Sequence, residues 1–236
     1  MALRKAVWLW AGLGLCGWAG AQSFSLTPTA FNINPERTNT AQVRLQNQTL
    51  QPLQFRVEVM KWSMDGGQAA YVPTRDVVVN PPTFQLGPQG AQVIRVGVLK
   101  KAGADEMTYR VFVRQVSDTA TAQVDQQDAQ INLSRLINIS LPVYVTPPNS
   151  AAKVSFRMNI GGQTPALEVT NSGNRHLTLR QLRLVSGDQI FPLGSNAVLG
   201  RSTLALALPL TLPAGAAVEV RYQDAEDKEQ RAAVTR

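Results

Sequence analysis

Residues 131–145 read Ile-Asn-Leu-Ser-Arg-Leu-Ile-Asn-Ile-Ser-Leu-Pro-Val-Tyr-Val, and this stretch decides the fold class. Ile131, Leu133, Ile137, Ile139, Leu141, Val143 and Val145 share one parity. A period of two is the mark of a β-strand, whose successive side chains leave the pleat on opposite faces. The stretch is long for a strand, and Arg135 interrupts its apolar parity. The residues alone leave its role open between sandwich core and an exposed edge that pairs with a partner, with Arg135 a gatekeeper against self-association in the second case.

The same period recurs toward the amino end. Ala41, Val43 and Leu45 alternate with polar neighbours, as do Phe55, Val57 and Val59, then Ile94, Val96 and Val98, then Tyr109, Val111 and Val113. Turn residues separate these runs: Asp65-Gly66-Gly67 reads as a hairpin loop, Pro81-Pro82 breaks any ladder, and Pro88-Gln89-Gly90 reverses the chain. Ser117 to Gln130 is rich in Thr, Gln and Asp and reads as a long loop. Pro147-Pro148-Asn149-Ser150 removes two consecutive backbone donors and reads as a linker. Beyond it a second strand series runs through Val154-Phe156-Met158, Leu167-Val169, Leu177-Leu179 and Leu182-Leu184. Leu204 to Leu212 is apolar, and Val218-Val220-Tyr222 reads as the last strand, followed by a solvated turn from Asp224 to Glu229. No segment carries a sustained 3.6-residue stripe. The expected fold is all-β, two β-sandwich domains in tandem, over residues 22–147 and 148–236.

The first 21 residues read as an export signal. Arg4 and Lys5 precede an apolar run from Ala6 to Gly17, and Ala19-Gly20-Ala21 suits a signal peptidase cutting between Ala21 and Gln22. The run is shorter than the roughly 20 residues that span a bilayer, so no membrane insertion is expected after cleavage. Leu13-Gly14-Leu15-Cys16 faintly matches a lipid-attachment motif, but Leu15 is bulky where a small residue is wanted. The mature chain would then lack cysteine and stand on packing alone in the periplasm or exported envelope space.

Composition excludes most chemistry. Of 236 residues, 44% are hydrophobic and 17% charged, and the net charge of +7 comes from 23 scattered Lys and Arg, so no nucleic-acid partner is expected. One Cys and one His leave no metal shell and no His-dependent catalysis. His176 follows a turn, Asn171-Ser-Gly-Asn-Arg175, and reads as a surface or turn histidine rather than a general base. No nucleophile motif or phosphate loop is present, so the chain is expected to be no enzyme, to hold no cofactor and no metal, and to act by binding.

Several segments, in order, resemble the first domain of periplasmic pilus chaperones, the PapD-like family. They are Phe24-Ser-Leu-Thr-Pro-Thr-Ala-Phe31, Ala41-Gln-Val-Arg-Leu-Gln-Asn47, Pro81-Pro-Thr-Phe-Gln-Leu-Gly-Pro-Gln-Gly90 running into Val93-Ile-Arg-Val96, Thr108-Tyr-Arg-Val-Phe-Val-Arg-Gln-Val116 and Ile139-Ser-Leu-Pro-Val-Tyr-Val145. Met60-Lys-Trp62 and Tyr71-Val-Pro-Thr-Arg-Asp76 look most like its non-classical branch. The later part matches more loosely, at Leu167-Glu-Val-Thr-Asn-Ser-Gly-Asn174 and Ala197-Val-Leu-Gly-Arg-Ser-Thr203.

The resemblance implies a non-enzymatic assembly chaperone of two immunoglobulin-like β-sandwich domains set at an angle, which lends the last strand of its first domain to a pilin or fimbrial subunit lacking one, with an outer-membrane usher as a further partner. It places Ile131, Leu133, Ile137 and Ile139 in the subunit's groove and sends Leu141, Val143 and Val145 toward the cleft between domains. The family holds the subunit's terminal carboxylate with two basic residues in that cleft. The matching positions here carry Ala30 and, on the long strand, Asn138 or Pro142, none of them basic. The anchor is then expected from another arginine, first Arg135 on the donor strand itself, with Arg114, Arg44 and Arg37 behind it. The residues alone also leave open an immunoglobulin-like envelope protein that binds surface polymers without chaperoning.

Overall fold

The computed structural model describes residues 24–116, 136–160, 165–208 and 218–235. The leader with its Ala21–Gln22 junction, the Ser117 to Gln130 segment, and Ile131, Leu133 and Arg135 lie outside these residues. Every regular element described is a strand. The first ten are β1 (Phe24–Thr27), β2 (Phe31–Ile33), β3 (Thr40–Asn47), β4 (Leu53–Asp65), β5 (Gln68–Pro73), β6 (Val77–Asn80), β7 (Thr83–Leu86), β8 (Ala91–Val98), β9 (Met107–Val116) and β10 (Asn138–Val145). They form one sheet in the order β1-β3-β8-β6 and a second in the order β2-β10-β9-β4-β5, with β7 also on β4.

The period-two pattern explains how these sheets face each other. Val43 and Leu45 of β3, with Ile94 and Val96 of β8, meet Phe55 and Val57 of β4, Tyr109, Val111 and Val113 of β9 and Leu141 of β10 in one buried cluster. Burying each such aliphatic side chain contributes roughly 1.5–3 kcal/mol. The opening strand is divided between the sheets. β1 pairs antiparallel with β3, the chain then crosses at residues 28–30, and β2 pairs parallel with Val143–Val145. Asp65-Gly66-Gly67 makes the expected hairpin: Gly66 and Gly67 have φ of +54° and +80°, the positive pair of a two-residue turn whose twist suits antiparallel strands.

The remaining strands are β11 (Val154–Asn159), β12 (Ala166–Asn171), β13 (Leu177–Ser186), β14 (Gln189–Val198), β15 (Ser202–Ala207), β16 (Val218–Gln223) and β17 (Glu229–Ala233). They build a second sandwich from the sheets β11-β12-β15 and β14-β13-β16-β17. Its core is separate from the first and centres on Phe156, Leu167, Val169, Leu179, Leu182, Leu184 and Val220. The segments Leu177-Leu179 and Leu182-Leu184 are one strand with a bulge. Gln181 at φ +48° takes up an extra residue, which returns Leu182 to the inner face beside Leu179. The last strand is β17, not β16. Glu229-Gln-Arg-Ala-Ala233 lies at a sheet edge and lacks the β-branched and aromatic residues that mark a strand.

Among the described residues each sandwich buries one asparagine completely, at the end of a strand. Asn47 donates to the carbonyls of Gln51 and Gly87 and accepts from Thr49. Asn171 donates to the carbonyls of Arg175 and Val198 and accepts from the amides of Lys153 and Gly173. All four bonding positions of the Asn171 amide are used, and they tie three loops together. Asn171→Ala would leave two carbonyls and two amides short of partners, at about 1–3 kcal/mol for each one that water cannot reach. A loss of roughly 3 kcal/mol is expected in urea unfolding; a loss under about 1 kcal/mol would show that the loops hold without it.

An open strand edge ending in the cleft between the sandwiches

β10 is bonded to β9 along its whole length, from Asn138 opposite Arg114 to Val145 opposite Met107. On its other side β2 covers only Val143 to Val145. Among the described residues no strand pairs with the Asn138–Pro142 side. In an antiparallel pair one residue points both N–H and C=O at its neighbour and the next points both away. Gln115 N donates to Ile137 O at 2.8 Å, so the odd residues of β10 bond β9; Thr146 N donates to Ile33 O at 2.9 Å, so the even residues face the β2 side. Asn138 and Ser140 therefore offer both backbone groups to the open edge.

Side chains follow the same parity. Leu141, Val143 and Val145 are buried in the first core, which corrects the expectation that they lead toward the cleft. Pro142 and Tyr144, of the opposite parity, line it instead. Ile137 and Ile139 are half-buried at the margin of the first core.

The cleft has a volume of about 910 Å³. Thr29, Ala30, Asn32, Arg110, Pro142 and Tyr144 line it from the first sandwich, and Arg175, His176, Thr178, Arg180 and Asn196 from the second. Ala30 is therefore in the cleft, whereas Asn138 sits on the open edge outside it. Arg110 is the cationic residue that β9 directs here. Its guanidinium carbon lies 4.0 Å from the Trp62 ring centroid, a cation–π stack. Its Nε is buried without a hydrogen-bond partner, and its Nη1 lies 3.5 Å from Ser140 Oγ. No carboxylate among the described residues pairs with it.

Behind Arg110 the two sandwiches are clasped. Glu106, its side chain 1% exposed, accepts from Thr146 Oγ1 at 2.5 Å, from His176 N at 2.7 Å and from His176 Nδ1 at 2.8 Å. Burial pushes the Glu106 carboxyl up, but the hydrogen bonds and charge of His176, with the Thr146 bond, outweigh it and hold the group below the usual glutamate range. The His176 ring stacks on Tyr144 at 3.5 Å and 3°. His176 follows the bend at residues 173–175 and leads into β13, as its turn context suggested, but its side chain is 14% exposed and lies in the interface rather than at the surface.

Burial pushes the Tyr144 hydroxyl up to about 12, against the opposing influence of Arg110, so at neutral pH it keeps its proton. Trp62, Tyr144 and Leu199 form an apolar cluster across the same interface. A second contact lies at the β4–β5 hairpin, where Ala205 N donates to Gly67 O at 2.9 Å. A Cβ on Gly67 would meet the Cβ of Ala205 at 2.8 Å, so this approach requires glycine as well as the positive φ does.

The other arginines considered for an anchor lie elsewhere. Arg114 pairs with Glu58 at 2.9 Å, Arg44 is exposed on β3, and Arg37 is exposed in the turn after β2; none lines the cleft. Arg110 and Tyr144 lie on the outward parity of their strands, which normally means solvent, and Glu106 lies just before β9, so no local pattern in the sequence marks the three as a site. The described residues bring together no group of three or more His, Cys, Asp or Glu.

Because folding lowers the Glu106 pKa, its contribution is fully present above the ordinary value of about 4.3 and is lost as pH falls through the lower folded value. Trp62 emission, which reports on this interface, should hold steady down to about pH 4.3 and shift below it. Glu106→Gln should loosen the interface by about 1.5–3 kcal/mol at pH 7 and abolish that acid shift. An acid shift that survives in Glu106→Gln would assign the titration to another group.

Residues 23–151 match the family described as pili and flagellar-assembly chaperone, PapD N-terminal domain. Among solved structures, a chain of the CsuC–CsuE chaperone–tip adhesion subunit pre-assembly complex, from the archaic chaperone-usher Csu pili of Acinetobacter baumannii, is similar at a TM-score of 0.70 and 18% identity, covering 91% of this chain and 99% of that one. The E. coli chaperone DraB is similar at 0.60 and 18%, covering 89% and 96%. A chain of the Salmonella enterica SafA pilin–SafB chaperone complex is similar at 0.61 and 17%, covering 89% and 96%. No curated protein matches the chain by sequence. The solved structures agree with the two-sandwich architecture over nearly its whole length, and the family match spans more than half the chain and includes β1 to β10: the chain belongs to the pili and flagellar-assembly chaperones.

Proposed function

We propose that this protein is a periplasmic, non-enzymatic chaperone that captures pilin-like subunits by lending them the open edge of β10, supplying a strand that the subunit's own sandwich lacks (donor-strand complementation). The observation that carries the reading is the Asn138–Pro142 edge, which runs free of any described partner and ends at a cleft holding an unpaired guanidinium. Main-chain bonds from Asn138 and Ser140 would supply affinity. Ile137 and Ile139, preceded by Ile131 and Leu133, would supply apolar contacts to the subunit's groove.

Arg110 would hold the subunit's terminal carboxylate. A half-buried cation without an anion is costly, and a carboxylate arriving from a client offsets that cost with charge-assisted bonds. The Tyr144 hydroxyl, protonated and lining the same cleft, is available as a second donor. For a client's last residue to reach Arg110, its strand must run parallel to β10, as β2 does on the same side. Arg135 remains a second candidate anchor, and an outer-membrane usher a further partner.

Calorimetric titration of the mature protein with a synthetic peptide of alternating Val and Thr, ending in a free carboxylate, tests this. Arg110→Ala should weaken binding by roughly 10–100-fold and flatten its salt dependence. Unchanged affinity and salt response would remove Arg110 from the mechanism, and the same loss in Arg135→Ala instead would move the anchor there. A wild-type protein that does not bind the peptide at all would sink the edge reading.

A further inference from the structure

Pro142 stands in the middle of a bonded strand, a position that ordinarily excludes proline because it lacks an N–H. The parity of β10 resolves this. Position 142 is even, so its nitrogen points away from β9, and its pairing with Arg110 loses no ladder bond. The missing donor falls instead on the open edge. That edge offers an N–H at Asn138 and at Ser140 and none at Pro142, and from Val143 onward β2 occupies it.

We infer that Pro142 is a positioning residue that makes full-depth docking of a client strand conditional on a charged chain end; this rests on the strand-lending reading above. The register follows from the ladder already present on that side. Val143 lies opposite Phe31 and Val145 opposite Ile33, and Thr146 N donates to Ile33 O, so each even residue of β10 donates to the residue one step before its own partner. Applied to a client strand in the same direction, the residue opposite Leu141 donates its N–H to Ser140 O. It then aims its own C=O at position 142, where no N–H exists.

If that residue is the client's last, its C=O belongs to a carboxylate, and Arg110, directly across the β9–β10 pair from Pro142, takes the charge. If the group is an uncharged amide, its carbonyl faces the proline ring without a donor. The strand then does better two residues back, where the last carbonyl meets Ser140 N–H. A strand continuing past Leu141 would run into Ala30, where the chain enters β2. The edge therefore reads whether its guest ends there in a charge, and the absent proton of Pro142 does the reading.

The absence of cysteine beyond Cys16 makes a register test clean. Ser140→Cys is oxidised in a glutathione buffer with alternating Val/Thr peptides carrying one Cys at the penultimate position, as free acid or as carboxamide. In parallel pairing that position lies opposite residue 140, within disulfide reach. The free acid should cross-link rapidly, and the carboxamide at least about tenfold more slowly, since its carbonyl lacks a donor at Pro142 and it carries no charge for Arg110. Adding Pro142→Ala restores the N–H and should raise the carboxamide's rate and narrow its ratio to the free acid, leaving only the part of the acid's advantage that the Arg110 charge supplies. If acid and carboxamide already cross-link equally with Pro142 in place, or if Pro142→Ala leaves their ratio unchanged, Pro142 sets no stop while strand lending stands. If no peptide cross-links with any preference for the penultimate position, β10 is not the docking edge and both readings fall.

Discussion

A strand's two-residue period governs its side chains and its backbone groups together, and in β10 this single constraint divides structure from function. The odd residues turn Leu141, Val143 and Val145 into the core and bond their backbone to β9. The even residues turn Pro142 and Tyr144 to the cleft and direct their backbone to the side that β2 covers at Tyr144 and that no described strand covers from Asn138 to Pro142. One strand thus completes its own sandwich while the backbone groups of Asn138 and Ser140 stay without a strand partner among the described residues, the edge that the proposed function would use. A one-residue slip would bury the cleft face and expose the core face, so packing of the odd residues holds the functional edge in register.

The cleft is useful only if its walls stay where they are, and its electrostatics show how that is arranged. Glu106 is committed to His176 and Thr146, in a buried position that fastens one sandwich to the other. Arg110 lies on β9, which begins directly after Glu106, yet its cation rests on Trp62 rather than on an acid. Tyr144 lies between them and feels both charges. A negative group closes the interface while a positive group stands without an acid partner among the described residues, as the proposed carboxylate anchor requires. In the proposed function, walls fastened in this way would reduce the ordering cost of binding a short strand.

The architecture was largely legible in the sequence. Val43 and Leu45, Ile94 and Val96, and Tyr109, Val111 and Val113 announced their strands by alternation, and Asp65-Gly66-Gly67 its hairpin. Short edge strands were harder: Glu229–Ala233 has no alternation of large apolar residues because one flank of it has little to bury. The cleft was the least legible. Alternation marks Arg110 and Tyr144 as outward-facing, but outward means solvent for an isolated sandwich and interface for a pair. Nothing local says that His176, 70 positions on, will stack against Tyr144 and meet Glu106. Contacts between two folding units leave no periodic trace in either one.

The central claim is that the even-numbered amides of β10 are held open for a client strand. Backbone amide exchange, read residue by residue with and without the alternating Val/Thr free-acid peptide, tests it most directly. In the free protein Ile139 and Leu141, bonded to β9, should exchange slowly while Asn138 and Ser140 exchange fast, and the bound peptide should slow Asn138 and Ser140 toward their neighbours' rates. Asn138 and Ser140 amides already as slow as Ile139 in the free protein, or still fast with the peptide bound, would contradict the account.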